Sequence, residues 1–302
     1  MRMNGLDLNL LIALHAILTE RNISRAAERV FLSQPAMSNA LARLREYFGD
    51  DLVVRSGRAL ILTSRAESLI VPVRDILMRI ESTVAVAPTF DPAVSRRTFS
   101  LLVSDFTTTV FVQPLIERLY AIAPGIGFKL LTQEGSDPVE RLEQGDADLL
   151  IVPEQYLAAN HPSRRLFEET YVCVSWAGGS SPRQSLGFDD YLEAGHVVTQ
   201  FGGGHVPAFD TWLMERFGVI RRTEVMAHTL TAPAQLVVGT NRIATVHRRL
   251  AERAARHLPL RIWPPPMEIP TLVECVQWNQ ARAEDPGLKW LVQMCCEVAQ
   301  AI

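Results

Sequence analysis

Lysine is all but missing from this chain. Lys129 and Lys289 are the only two in 302 residues, so positive charge rests almost wholly on arginine, and no single arginine gains weight merely for not being lysine. Cysteine is scarce as well. Cys173, Cys275, Cys295 and Cys296 form no C-x-x-C pair and no Cys/His cluster of zinc spacing. The adjacent Cys295-Cys296 reads as packing in a late amphipathic helix rather than as a redox pair. No apolar run is long enough to span a membrane. The stretch Leu8–Leu18 is broken by Asn9 and His15 and runs into Glu20-Arg21, which excludes a signal peptide and predicts a cytoplasmic protein. Catalytic signatures are absent too. There is no Walker loop and no G-x-G-x-x-G after a strand, and Ser180-Ser181 lacks a G-x-S-x-G frame. The expectation is a chain that is not an enzyme and holds neither metal nor cofactor.

What is present is the composition of a folded, soluble protein, 48% hydrophobic and 21% charged, long enough for two or three domains. The net charge of −3 argues against a nucleic-acid binder until its distribution is considered. Through residue 65 there are nine arginines against six acidic residues, which leaves +3 at the N-terminus and −6 on the remainder. A mildly basic head on an acidic body suits a specific DNA regulator.

That head has the pattern of a winged helix-turn-helix. Asp7 is placed to cap a helix over 8–20 that buries Leu8, Leu11, Leu14 and Leu18. Residues 23–30 form a short amphipathic helix and Phe31-Leu32 a turn. Ser33 caps a second helix with Pro35 in its first turn, where a missing N–H costs nothing. Met37, Leu41, Leu44 and Phe48 form its buried face, while Gln34, Pro35, Ser38, Asn39 and Ala42 form the opposite one. Short and amide side chains there suit base edges in a major groove, with Arg43 close by. Two strand-like runs flank Ser56-Gly57-Arg58 as a wing, with Arg58 at its tip for a minor-groove or phosphate contact, or simply solvated.

Thr63 caps a long helix over about 64–87. Its stripe of Ala66, Leu69, Val73, Ile76 and Ile80, widened by Ile70, Leu77 and Val84, suggests pairing with a second copy; packing on its own domain is the alternative. Pro72 lies inside it, and Pro88 and Asp91-Pro92 end it. From residue 97 strands alternate with helices: strands near 98–104, 127–132, 148–152, 171–175, 195–199, 223–227, 243–246 and 272–278, with helices between and a last one over 286–301. The fold class is α+β: a winged helix-turn-helix (1–63), a linker helix (64–90) and a two-lobed α/β domain (91–302). Lobe I takes about 91–162 and 269–302, and lobe II about 163–268.

Several segments resemble LysR-type transcriptional regulators: Gly5–Leu11, Ala26-Ala27 through Ser38, Asp50-Asp51-Leu52 and Gly57-Arg58. Ser104-Asp105-Phe106, Phe167–Val174, Arg242–Thr245 and Val276-Gln277-Trp278 are similar to the branch holding nodulation regulators and salicylate- and nitroaromatic-responsive regulators. The resemblance spans essentially the whole chain. It implies a periplasmic-binding-protein-like effector domain, a homodimer or homotetramer on an inverted-repeat operator in double-stranded DNA, and action on RNA polymerase. It also implies a small aromatic effector controlling catabolic or symbiotic genes. By the same match Gln34, Pro35, Ser38 and Asn39 read bases, and Ser33 and Arg58 touch phosphate or groove. Asn39 departs from the Arg of several relatives, which turns the preference at that position from guanine toward adenine.

Effectors of such α/β folds bind in the crevice beyond the carboxyl ends of the strands. Ser104, Asp105, Phe106 and Thr107 follow one strand and open a helix, so their N–H groups and hydroxyls can hold a phenol or carboxylate oxygen, or simply cap that helix. Pro153 ends a neighbouring strand. Phe201 and Gly202–Gly204 allow close backbone approach, and His205 aligns with a histidine that contacts aromatic effectors in similar regulators. Glu169 stands where some relatives place a second pocket histidine. This removes a cation and favours a neutral phenol or hydroquinone over a benzoate, unless Glu169 is a surface residue. Phe106, Phe201 and Trp278 are the candidate aromatic walls. The function expected is an activator of aromatic catabolism switched by a phenol or hydroquinone. The alternative is a repressor, or a regulator responding to a flavonoid or a non-aromatic small acid.

Overall fold

A computed structural model describes residues 6–56, 59–84, 90–132, 137–179, 185–200 and 208–302. The chain divides into two compact units, residues 1–89 and 90–302. The first is built from local capping. Helices α1 (Leu8–Glu20), α2 (Ile23–Arg29) and α3 (Gln34–Phe48) begin at Asp7, Asn22 and Ser33, each accepting a hydrogen bond from an N–H in the first turn. Gly49, at φ +61°, closes α3 in the left-handed region that glycine adopts without strain. Strands β1 (Val53–Ser56) and β2 (Ala59–Leu62) pair antiparallel as the wing, and α4 (Ser64–Val84) follows. Asp50 Oδ1 accepts from Leu52 N at 2.7 Å and from Thr63 Oγ1 at 2.6 Å, tying the end of α3 to the start of α4. Between them Leu52 is fully buried at φ +58°, a strained conformation held by that contact and by packing.

Two phases differ from expectation. In α1 the buried face is Leu10, Ala13, Leu14 and Ile17, whereas Leu8 is exposed and Leu11 half-buried. The segment is apolar nearly all round, so leucine spacing does not fix its inward face, and the small Ala13 and Ala16 permit closest packing. In α4, Ala66 and Val73 join the core of this same unit with Leu69, Ile70 and Leu77 against it, while Ile76 and Val71 face outward. Part of the expected dimer stripe is thus spent on its own domain.

The second unit contains two five-stranded sheets. The chain runs β3 (Thr98–Leu102), α5 (Asp105–Thr107), a π-helical turn over Thr108–Val112, α6 (Gln113–Ile122), β4 (Gly127–Leu131), α7 (Pro138–Glu143) and β5 (Leu149–Pro153). It continues through a 3-10 turn to β6 (Ser163–Glu169), then β7 (Tyr171–Trp176), α8 (Phe188–Glu193), β8 (His196–Thr199), α9 (Ala208–Phe217), β9 (Thr223–Ala227) and α10 (Ala232–Leu236). Last come β10 (Ile243–His247), α11 (Arg248–Ala254), β11 (Leu260–Trp263), β12 (Leu272–Gln277) and α12 (Pro286–Ala299). Sheet I has the order β4-β3-β5-β12-β6 and sheet II β11-β7-β10-β8-β9. Strands β3, β4 and β5 are parallel, and β12 runs antiparallel to both β5 and β6.

Strand β6 corrects the expected boundary at 163. It lies in sheet I, and the single residue Thr170 carries the chain across to β7 in sheet II. Its residues alternate poorly because Arg164, Arg165 and Glu168 face water while Leu166 and Phe167 pack inward. Strands β6 and β11 and helix α8 were not anticipated. The core of lobe I joins Phe99, Leu101, Ile151 and Val276 of the sheet to Phe111, Leu115 and Leu119, and to Leu291, Cys295 and Val298 of α12. Each such side chain contributes roughly 1.5–3 kcal/mol by leaving water. Cys173, Cys275 and Cys295 are buried and unpaired. Arg97 grips Asp285 with two hydrogen bonds of 2.7 Å, and Asp285 in turn caps α12. Burial alone would raise the Asp285 carboxyl, but Arg97 holds it below the usual carboxylate range. Among the described residues no helix is long and apolar enough to cross a membrane.

Candidate functional site

Each compact unit carries a candidate site. In the first, Met37, Leu41 and Leu44 bury one side of α3 and thereby turn the other side outward. Gln34, Pro35, Ser38, Asn39, Ala42 and Arg43 all stand exposed. Ser33 Oγ accepts from Ala36 N at 3.3 Å, which leaves its O–H as a donor. Arg43 lies 3.3 Å from Asp7, the cap of α1, so it is an internal strut as well as a surface cation. The wing strands are in register from Val53↔Leu62 to Ser56↔Ala59, but Arg58 at their junction lies outside the described residues.

In the second unit the carboxyl ends of β3 and β5 meet the amino end of β12 and the carboxyl end of β6. There Ser104 Oγ accepts from Thr107 N at 3.1 Å and sits 2.9 Å from Thr107 Oγ1, so both hydroxyls are engaged in capping α5. The carboxylate of Asp105 reaches lobe II, where it accepts from Leu230 N (3.1 Å), Thr231 N (2.8 Å) and Thr231 Oγ1 (2.7 Å). Asp105 is a clamp between the lobes, which corrects its expected role as an effector contact. Phe106 is buried rather than an open wall. Its ring stacks on His247 of lobe II at 4.1 Å between centroids, and His247 meets Tyr171 at 4.9 Å. Burial pulls the His247 pKa down to about 4 against the opposing pull of Asp105, so the ring is neutral.

Glu169 is neither a surface residue nor a free acceptor. It is 1% exposed, and Oε2 lies 2.9 Å from Arg249 Nη1, while Oε1 accepts from Thr170 N at 3.0 Å and Arg249 N at 3.4 Å. The inference that this position lacks a cation is therefore corrected: Arg249, eighty residues on, brings one. Pro153 stands opposite Glu274 in the β5–β12 register. Glu274 is 2% exposed and its Oε2 has no hydrogen-bond partner. Burial, and then the Glu169 charge, push its pKa up to about 8. Burial also pushes Tyr171 up to about 12, with the Glu274 charge the next cause.

Trp278 is misplaced as a wall. Because β12 runs antiparallel to β5, Glu274 pairs with Pro153 at the crevice and Gln277 pairs with Leu150 at the far end. Trp278 lies beyond Gln277, about 13 Å along the strand from Glu274, and packs on the lobe I core. Phe201, Gly204 and His205 lie outside the described residues. The residues the sequence did not single out are Glu274, Tyr171, His247 and Arg249. A lone charge in the apolar strand Leu272–Gln277 was the available signal for the first. A larger open groove of about 670 Å³ in lobe II, walled by Phe188, Trp212, Arg216, Phe217, Met267 and Pro270, shares no residue with this crevice. It has no orphaned polar group, so the crevice is the candidate site. Among the described residues no cluster of three or more His, Cys, Asp or Glu could hold a metal ion.

Comparison with known proteins agrees with both sites. Residues 8–67 match the bacterial regulatory helix-turn-helix of the lysR family, and residues 93–300 match the LysR substrate binding domain. Nodulation protein D 2 of Rhizobium meliloti (strain 1021) is 43% identical over 299 residues, covering 99% of this chain and 96% of that one. The structure of a probable transcriptional regulator, PA0477 from Pseudomonas aeruginosa, is similar at a TM-score of 0.66 and 28% identity, covering 96% of each chain. Full-length CbnR, solved in complex with its target DNA, shares the fold at a TM-score of 0.54 and 16% identity over 97% of this chain and 100% of that one. The chain belongs to the LysR family and is a DNA-binding transcriptional regulator, not an enzyme.

Proposed function

We propose that this regulator is a transcriptional activator whose effector is a neutral polycyclic phenol of the flavonoid class, bound in the crevice between the two lobes. The observation that carries this reading is the likeness, over nearly its whole length, to nodulation protein D. It favours the flavonoid alternative over control of aromatic catabolism by a simple phenol or hydroquinone, for which the relatives offer no support. The crevice agrees chemically: Phe106, His247 and Tyr171 form an aromatic run across it, His247 is neutral, and the Arg249 charge is spent on Glu169. Planar aromatic molecules gain by stacking on such rings.

On the DNA side, Gln34, Pro35, Ser38 and Asn39 lie in the major groove, with Ser33, Arg43 and the wing residue Arg58 near the backbone. The protein acts as a dimer or a dimer of dimers on an inverted repeat, and its contact with RNA polymerase follows from activation. A second copy suits the uncovered Val71 and Ile76 of α4, and the sheet edges β4 and β9, where Leu130 and Met226 are 41% and 66% exposed. The test is a melting-temperature panel of flavones, simple phenols and benzoates on the full chain, paired with transcription from its operator. A flavone that raises both stability and transcription supports the reading. Stabilisation by benzoate or hydroquinone alone overturns it.

A further inference from the structure

Almost every polar group at the crevice is accounted for inside the protein. Asp105 is held by Leu230 and Thr231, Glu169 by Arg249 and Thr170, and Ser104 by Thr107. Glu274 is the exception: a carboxyl 2% exposed whose Oε2 meets no donor or acceptor. A buried polar atom without a partner is costly and rare in folded proteins, and it marks a place where a partner arrives from outside. Its position fits that. Glu274 starts β12 beside Pro153, on the same side of sheet I as Phe167 and Glu169, and near Tyr171 of sheet II.

We infer that Glu274 is the polar anchor of the effector crevice. As an undissociated carboxylic acid it donates one hydrogen bond to a neutral acceptor oxygen, a carbonyl set in an aromatic frame, and so selects hydroxylated aryl ketones over aryl carboxylates. This inference rests on the crevice reading above and gives it a residue and a ligand chemistry. The charges that face the acid explain the selection. Glu169 on β6 is a carboxylate held by Arg249 of α11, Asp105 on α5 is a second, and the Tyr171 hydroxyl and His247 ring are neutral. An incoming carboxylate would meet two like charges with the nearest cation already engaged, whereas a carbonyl needs only a donor. The protonated state of Glu274 persists up to a pH of about 8, because burial and the Glu169 charge disfavour its ionised form. Flavones carry such a ring carbonyl, and flavans of the same hydroxylation lack it.

The test uses the full-length protein with apigenin, the flavan of matching hydroxylation and salicylate, titrated calorimetrically into wild type, Glu274→Gln and Glu274→Leu. Wild type should bind apigenin about tenfold to a hundredfold more tightly than the flavan. Glu274→Leu should bring apigenin down to the flavan's level without changing the flavan. Glu274→Gln, which keeps an N–H donor and cannot ionise, should keep apigenin binding and lose its decline above pH 8. Without ligand, Glu274→Leu should melt at or above wild type, since it removes an orphaned group, and this confirms that it folds. Apigenin affinity unchanged in Glu274→Leu, or lost equally in both variants, overturns the anchor while leaving the flavonoid reading intact. A wild type that binds salicylate but not apigenin overturns both.

Discussion

The exposed side of α3 and the crevice between the lobes both present polar side chains to a partner, yet they do so under opposite solvent conditions. Gln34, Ser38 and Asn39 are open to water, which satisfies each of them until DNA replaces it. In the crevice water is largely excluded, and each charge must be matched by the protein itself, as Asp105 is by Thr231 and Glu169 by Arg249. The contrast teaches where an unpartnered group is informative. On α3 it says only that the residue is outside, whereas at Glu274 it marks a vacancy the fold has not filled. It also separates the consequences of mutation: changes in the crevice should act on stability first, and changes on α3 on binding alone.

The largest effect should come from Arg249→Ala. It strands the buried Glu169 carboxylate, and urea unfolding should show a loss of about 3–5 kcal/mol. A loss below about 1 kcal/mol would show that the crevice is as well hydrated as α3 and would break the contrast. Asp105→Ala comes next, at about 2–3 kcal/mol, because it leaves two N–H groups and a hydroxyl of lobe II without their charged acceptor. Asn39→Ala should weaken operator binding by about 1–3 kcal/mol in a gel-shift titration, with an unchanged melting temperature; a drop in melting temperature would place Asn39 in the fold rather than at the DNA.

Acid sensitivity sharpens the comparison further. His247 has a folded pKa of about 4 against an ordinary 6.5, so the native state binds fewer protons between those values and stability falls as pH drops through that window. Asp285, held below its ordinary value, adds a loss at still lower pH. His247→Phe keeps the ring stack and should flatten the pH 6.5-to-4 part of a stability profile. The smallest effect is expected of Arg43→Ala, whose half-exposed pair with Asp7 contributes under about 1 kcal/mol to stability; a larger loss would make Arg43 mainly a strut.

The first unit was legible because its signals are local. Caps, turn and buried face in 22–63 sit within a few residues of what they govern, as Ser33 does for Ala36. The α1 phase was not, since an element apolar on every side carries no periodic signal. The crevice was legible in outline, through strand ends at Ser104 and Pro153, but its chemistry depends on partners far apart in the chain. Glu169 and Arg249 are 80 residues apart and Asp105 and Thr231 are 126, and nothing local in either segment announces the other. Trp278 failed for a topological reason: the sequence shows that 272–278 is a strand but not which way it runs against β5. The Gly-rich segment with His205 lies outside the described residues and cannot be scored.

The π-helical turn at Thr108–Val112 has a consequence for how this protein can change over generations. A π turn holds one residue more than an α turn of the same helix, so it behaves as an insertion absorbed without a loop. It lets Asp105 and Phe106 keep one rotational setting, toward lobe II, while Leu115 and Leu119 keep another, toward the lobe I core. It also presents the Thr109 carbonyl to Arg253, from the far lobe. Deleting any one residue between 108 and 112 would leave a well-formed α-helix, but everything after it would turn by about 100° relative to everything before. Lineages descending from this chain can therefore vary the residues within the turn, but not their number, without uncoupling the helix from one lobe or the other.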